Sequence, residues 1–163
     1  MAECILHSHM TKKLVAAALI SHLSSMATEF EKNGAQDTPY DEPYTTLTTN
    51  LIRGGNAYET IPNLCEFIFE FRNLATDNSD ALHQSIVNYI ETKMTLLTHG
   101  EQAEACVTLD TIAKAPGLDT SQSELIVQAA QAICHGGKVL KVAYATGAGS
   151  FRQAKIPDCL WSW

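Results

Sequence analysis

The strongest constraint on this chain is the alternation Cys65-Glu66-Phe67-Ile68-Phe69-Glu70-Phe71-Arg72. Side chains on an extended strand point to opposite sides in turn. Cys65, Phe67, Phe69 and Phe71 therefore share one face, while Glu66, Glu70 and Arg72 share the other. Three phenylalanines on one side require a partner layer, and charged residues on the other require water. The segment over residues 64–74 is thus a strand of a sheet with one buried face.

The surrounding segments supply that layer. Residues 11–33 read as an amphipathic helix, with Val15, Leu19, Leu23, Met26 and Phe30 at steps of three and four. Gly34 is expected to stop it in the left-handed conformation. Residues 34–43 form a loop, and residues 45–53 form a strand closed by Gly54 and Gly55. N-cap candidates over residues 77–79 open a second helix, whose stripe is Leu82, Ile86, Ile90, Met94 and Leu97. Residues 105–113 make another strand, and Pro116-Gly117 marks a break. Beyond it, Ser121-x-x-Glu124 has the pattern of a capping box before a helix carrying Leu125, Ala129 and Ile133, ending at Gly136-Gly137. Strands are expected over 138–145 and 156–160, with a helical turn over 151–154. The expected fold class is α+β. Its first part is a ferredoxin-like domain, an antiparallel sheet with two helices on one face, over residues 1–114. Residues 115–163 follow as an α/β fragment of a further domain.

Composition narrows the partners. The 163 residues carry 11 Lys and Arg against 18 Asp and Glu, a net charge of −7. A nucleic-acid surface needs clustered cations, so no nucleic-acid partner is expected. No apolar run reaches the roughly 20 residues of a membrane span, so no membrane is expected either. The five cysteines are scattered with no C-x-x-C and no leader before them, which fits reduced thiols in the cytoplasm.

Few residues offer chemistry. His7-Ser8-His9 would turn both rings to one side of a strand, as a ligand pair or as two exposed histidines. The other histidines are isolated, and no metal site is expected in the chain. Thr146-Gly147-Ala148-Gly149 is either a phosphate loop or a strand-to-helix turn, and it lacks the lysine and glycine spacing of a P-loop. Arg72 can clamp a substrate carboxylate or pair with Glu66 or Glu70 across the sheet.

The run from Leu51 to Leu74 resembles the lid of zinc-dependent acetylornithine deacetylases, whose relatives include succinyl-diaminopimelate desuccinylase and carboxypeptidase G. The residues that carry the likeness are Gly54, Gly55, Ala57, Ile61, Pro62, Cys65, Phe67 and Arg72, in the pattern G-G-x-A-x-N-x-I/V-P-x-x-C-x-F-x-x-x-x-R. The segments 115–120 and 141–157 extend it. The resemblance implies a lid inserted in a metal-binding catalytic domain, a dimer through the lid, and hydrolysis of N2-acetylornithine to ornithine and acetate in arginine biosynthesis. It implies zinc or cobalt for the full-length family, with the ligands and the general base outside this chain. The chain is therefore expected to be inactive alone, or to serve as a dimerisation module pairing with itself or with a full-length homologue. Arg72 matches the family's substrate-binding arginine. Glu59 replaces the family's lid asparagine, and the resemblance aligns His7 with the catalytic lid histidine that reaches a neighbouring subunit. The family continues its last strand into Cys-Gly-Pro-Gly. Here Cys159-Leu160-Trp161-Ser162-Trp163 stand instead. Read one base later, codons for those residues give Ala-Cys-Gly-Pro, which leads to the expectation of a shifted reading frame.

Overall fold

A computed structural model describes residues 2–7, 12–59, 62, 64–98, 106–134, 139–142 and 146–159. The lid contains strand β1 (Ala2–His7), helix α1 (Lys12–Asn33), strands β2 (Thr46–Gly54) and β3 (Cys65–Arg72), helix α2 (Ser79–Thr98) and strand β4 (Cys106–Thr111). Helices α3 (Leu125–Ile133) and α4 (Ala148–Gln153) follow. The four strands form one sheet in the order β2-β3-β1-β4, and every neighbouring pair is antiparallel. A β-α-β-β-α-β chain in that order is the ferredoxin-like arrangement, so the fold is α+β.

The core lies between the sheet and the two lid helices. Val15, Ala16, Leu19 and Leu23 of α1 meet Leu47, Cys65, Phe67 and Phe69 of the sheet and Ile86 and Ile90 of α2. The spacing of the buried residues on each helix is the three- and four-residue step that puts them on one stripe. On β3, Cys65, Phe67 and Phe69 are buried and Phe71 packs against the same cluster. His22 of α1 stacks on Tyr89 of α2, with ring centroids 3.5 Å apart, and spans the two helices above that core. Burial and the nearby Lys93 ammonium both hold the His22 pKa below its ordinary value.

Polar ties fix the ends of elements. Thr45 is buried before β2; its hydroxyl donates to the Asp77 carboxylate and accepts the Leu74 N–H at 3.0 Å. The Asn78 side-chain oxygen takes the N–H groups of Asp80 at 3.0 Å and Ala81 at 3.1 Å, capping α2 where the sequence places a cap.

Several expectations change. The sequence reading has no strand at residues 2–7. Yet β1 sits between β3 and β4, joined by pairings to residues far along the chain. Gly34 does end α1, but not in the left-handed region; among the described glycines only Gly55 has a positive φ, of 88°. Gly34 is required by space: a Cβ there would lie 2.5 Å from the Phe30 carbonyl oxygen, which accepts its N–H. The capping box at Ser121 does not form. Glu124 itself occupies the N-cap position of α3 and makes no cap bond. Its carboxylate instead takes the Arg152 guanidinium of α4 through two bonds of 2.6 and 2.5 Å. A charge-assisted two-point pair outcompetes a single bond to an amide, and it holds the Glu124 pKa below the ordinary carboxylate range. Gly136 and Gly137 lie outside the described residues.

The tail is less regular than expected. Within residues 138–145 the described part makes a single parallel bridge, Lys141 to Tyr40, and no ladder. Residues 156–159 are not a strand, and Leu160 to Trp163 are outside the described residues. A strand needs a neighbour to satisfy its amides, and the described residues offer none there. The turn expected at 151–154 is the second half of α4 with its C-cap, Ala154.

Candidate substrate-facing surface of the lid

Because α1 and α2 cover one face of the sheet, the other face is bare among the described residues. Strand alternation and register decide what stands on it. Arg72 pairs with Thr46, Glu70 with Thr48, Ile68 with Leu51 and Glu66 with Arg53. A bulge between Thr49 and Leu51 shifts the β2 register by one, which keeps Leu51 and Arg53 on the open face. On β4, Thr108 and Asp110 alternate with the partly buried Val107 and Leu109 and are exposed on the open face.

Two arginines occupy this face. Arg53 Nη1 lies 3.6 Å from Glu66 Oε1. Arg72 donates from Nε and Nη2 to Glu70 Oε1, at 3.2 and 3.1 Å. Of the carboxylate partners open to Arg72 from the sequence, the sheet uses Glu70, because Glu66 stands opposite Arg53. The Arg72 side chain remains 50% exposed. An exposed ion pair of this kind contributes at most about 1 kcal/mol. The i, i+2 spacing on one strand sets this guanidinium at the end of β3, facing away from the core.

The other two candidate residues lie elsewhere. Register places Leu6 opposite Cys65, so His7 lies one step beyond the start of β3. Arg72 ends that strand, eight residues further, and at about 3.3 Å per residue the two positions are about 26 Å apart along the sheet. Glu59 lies in the exposed β2–β3 turn, at the His7 end. One copy of the lid therefore does not bring His7 and Arg72 together. Nothing in the composition of either segment carries this separation; it follows from β1 lying antiparallel to β3.

The described residues do not fit a metal centre. No group of three or more His, Cys, Asp or Glu side chains converges among them. His9 lies outside the described residues, His22 is committed to Tyr89, and the buried His83 Nε2 has no hydrogen-bond partner. Residues 146–149 make a turn into α4: the Ala148 N–H is bound to the Thr146 hydroxyl at 3.2 Å, and Gly149 is packed against the Pro116 carbonyl. A phosphate cradle needs those amides pointing outward; here one amide is taken and the glycine is buried.

The described residues thus form a ferredoxin-like sheet with one helix-covered face and one open charged face. The profile of the M20 peptidase dimerisation domain matches residues 6–95, and the chain belongs to that family. No curated protein sequence matches it. Among solved structures, aminopeptidase PepT from Bacillus cereus ATCC 10987 is similar at 16% identity and a TM-score of 0.59, over 96% of this chain and 41% of that one. A tripeptidase from Staphylococcus aureus subsp. aureus Mu50 gives 16% and 0.56, over 96% and 40%. An amidase of the hydantoinase/carbamoylase family from Burkholderia vietnamiensis gives 16% and 0.55, over 89% and 34%. At such identities the likeness is one of fold. The chain spans at most 41% of the length of these three structures.

Proposed function

We propose that this chain is the substrate-gripping lid of an M20-type amidohydrolase acting on an N-acyl amino acid, with N2-acetylornithine as the substrate. In that reaction water adds across the acyl C–N bond, giving acetate and the free amine of ornithine, a step of arginine biosynthesis in the cytoplasm. Residues 1–114 form the lid, and residues 115–163 form part of the catalytic domain. The zinc or cobalt and the general base belong to parts of the enzyme outside these residues, so the chain alone is not a catalyst.

The observation that carries this reading is Arg72: it matches the family's substrate-binding arginine and stands half-exposed on the open face, where Glu70 is one of its partners. A guanidinium offers a carboxylate two parallel N–H donors. His7, at the far end of the sheet, serves a different site from the Arg72 of its own copy. A dimer in which each lid supplies a histidine across to its partner uses both. Glu59 in place of asparagine adds a negative charge to the turn, which favours substrates bearing a cationic side chain, as ornithine does.

Activity is the test. The purified chain with added zinc or cobalt should give no N2-acetylornithine hydrolysis above a metal-only control; metal-dependent turnover would overturn the division of labour. Grafted in place of the lid of a full-length acetylornithine deacetylase, residues 1–114 should support turnover. Arg72→Met in that graft should lower kcat/KM by about 100-fold, as loss of a bidentate carboxylate contact does. An unchanged kcat/KM would remove Arg72 from substrate binding.

A second reading, a dimerisation module, is favoured by the β2 edge. Among the described residues β2 has a neighbour on one side only. Ile52 of β2 and Leu14 of α1, the helix that contacts β2, are exposed. An unpaired strand edge next to apolar side chains is a template for a second strand. The chain should sediment as a homodimer, and Ile52→Lys should weaken association by about tenfold or more. A monomer at high concentration would argue against both the dimer and the two-copy use of His7. Pairing with a full-length homologue uses the same edge. No described helix is long and apolar enough to cross a membrane.

A further inference from the structure

The segment after residue 115 meets the lid in an unusual way. Among the described residues, neither α3 nor α4 makes an extended contact with a helix or strand of the lid. What joins the two is a small charged cluster beside the single backbone bridge from Tyr40 to Lys141. Lys141 Nζ donates to Asp37 Oδ2 at 2.6 Å and lies 3.5 Å from Asp119 Oδ1. The same ammonium sits 5.1 Å from the centre of the Tyr40 ring. Asp37 and Tyr40 belong to the loop between α1 and β2, more than a hundred residues before Lys141. The Lys141 and Asp37 side chains are 32% and 26% exposed, so the pair is sheltered without being dry.

A different contact holds the crossing segment to the tail. The Pro116 carbonyl rests against Gly149 so closely that a Cβ there would overlap it. The Thr120 hydroxyl donates to the Asp158 carbonyl at 2.8 Å. Residues 116–120 therefore travel with the tail, while Lys141 alone of these groups reaches the lid loop.

We propose that Lys141 is an ionic latch docking the tail on the α1–β2 loop of the lid, with residues 116–120, held by the close Pro116–Gly149 contact, moving as part of the tail when the latch opens. Interfaces made by apolar packing resist salt, whereas a partly exposed ion pair is screened by it. This junction has the second character. The latch stands on these contacts whatever reaction the chain serves. Its consequence for a substrate, that the lid changes its angle to the catalytic part, rests on the function proposed above.

Hydrogen exchange on the full chain separates the two. Raising salt to about 1 M, where the screening length falls to about 3 Å, should speed exchange of residues 37–42 and 139–142 by about tenfold. Lys141→Met and Asp37→Asn should give the same increase at low salt and should then lose the salt response. Amides of β2 and β3 should be unchanged throughout. Exchange that ignores both salt and substitution would overturn the latch. So would a parallel loss of protection in β2 and β3, since tail and lid would then open as one body. The salt series needs no variant and holds even if a substitution impairs folding. A failed latch leaves the hydrolysis assays unaffected, and failed hydrolysis leaves the latch intact.

Discussion

Phe67→Ala should cost about 3–5 kcal/mol of lid stability, the range for removing a buried phenylalanine ring. Phe67 is 1% exposed and sits mid-strand, between α1 and α2 on one side and its strand neighbours on the other. The ring also lies 6.1 Å from that of Phe69, tilted by 36°, an arrangement that adds to the burial. The void left by alanine cannot close easily, because the sheet beneath is held by hydrogen bonds and both helices already touch other core residues. A domain of this size has about 5–15 kcal/mol in all, so the variant should be largely or partly unfolded at the temperature where the parent is folded. Urea denaturation followed by circular dichroism measures the difference. A loss below about 1 kcal/mol would mean that the helices do not clamp this ring.

Thr45→Val should be nearly as damaging, at about 2–4 kcal/mol, though it preserves shape. The threonine hydroxyl serves two groups at once: it donates to the Asp77 carboxylate and accepts the Leu74 N–H. Asn73 fixes the same corner through its amide, which donates to the carbonyls of Leu74 and Asp77 at 3.0 and 3.2 Å. Valine leaves a buried amide and part of a carboxylate without partners, and each stranded group costs more than the bond itself contributed. Thr45→Ser keeps the hydroxyl and loses one methyl, so it should cost about 1 kcal/mol. The order of the two variants in chemical denaturation is the test. Serine proving worse than valine would show that the methyl, not the hydroxyl, matters here.

Much of the lid was legible because its signals are local. The β3 alternation named the buried face, and Cys65, Phe67 and Phe69 are buried as read. The stripes of α1 and α2 placed both helices within a residue or two of their observed bounds. The strand β4 lies inside its expected segment, and β2 runs one residue past its own, to Gly54. The match of residues 6–95 to the M20 dimerisation domain agrees with a likeness already carried by Gly54, Gly55, Pro62, Cys65 and Arg72.

Apart from Gly34, whose conformation is decided by the nearby Phe30 carbonyl, the errors share one cause, that the deciding partner is distant in sequence. β1 is six residues long and is held as a strand by β3 and β4, some sixty and a hundred residues away. Glu124 reads as the end of a capping box until Arg152 arrives beside it. The tail segments at 138–145 and 156–160 read as strands, but a strand is completed by its neighbour.

The candidate site divides along the same line. Sequence by itself determined that Arg72 lies on the polar side of its strand, that the lid is acidic, and that a helical layer covers the opposite face, since period and charge are properties of adjacent residues. Only the tertiary structure decided that Glu70 rather than Glu66 holds Arg72, that His7 and Arg72 stand at opposite ends of one sheet, and that Lys141 reaches Asp37. Register and strand order set those distances, and both arise from pairing between parts of the chain that carry no mark of each other.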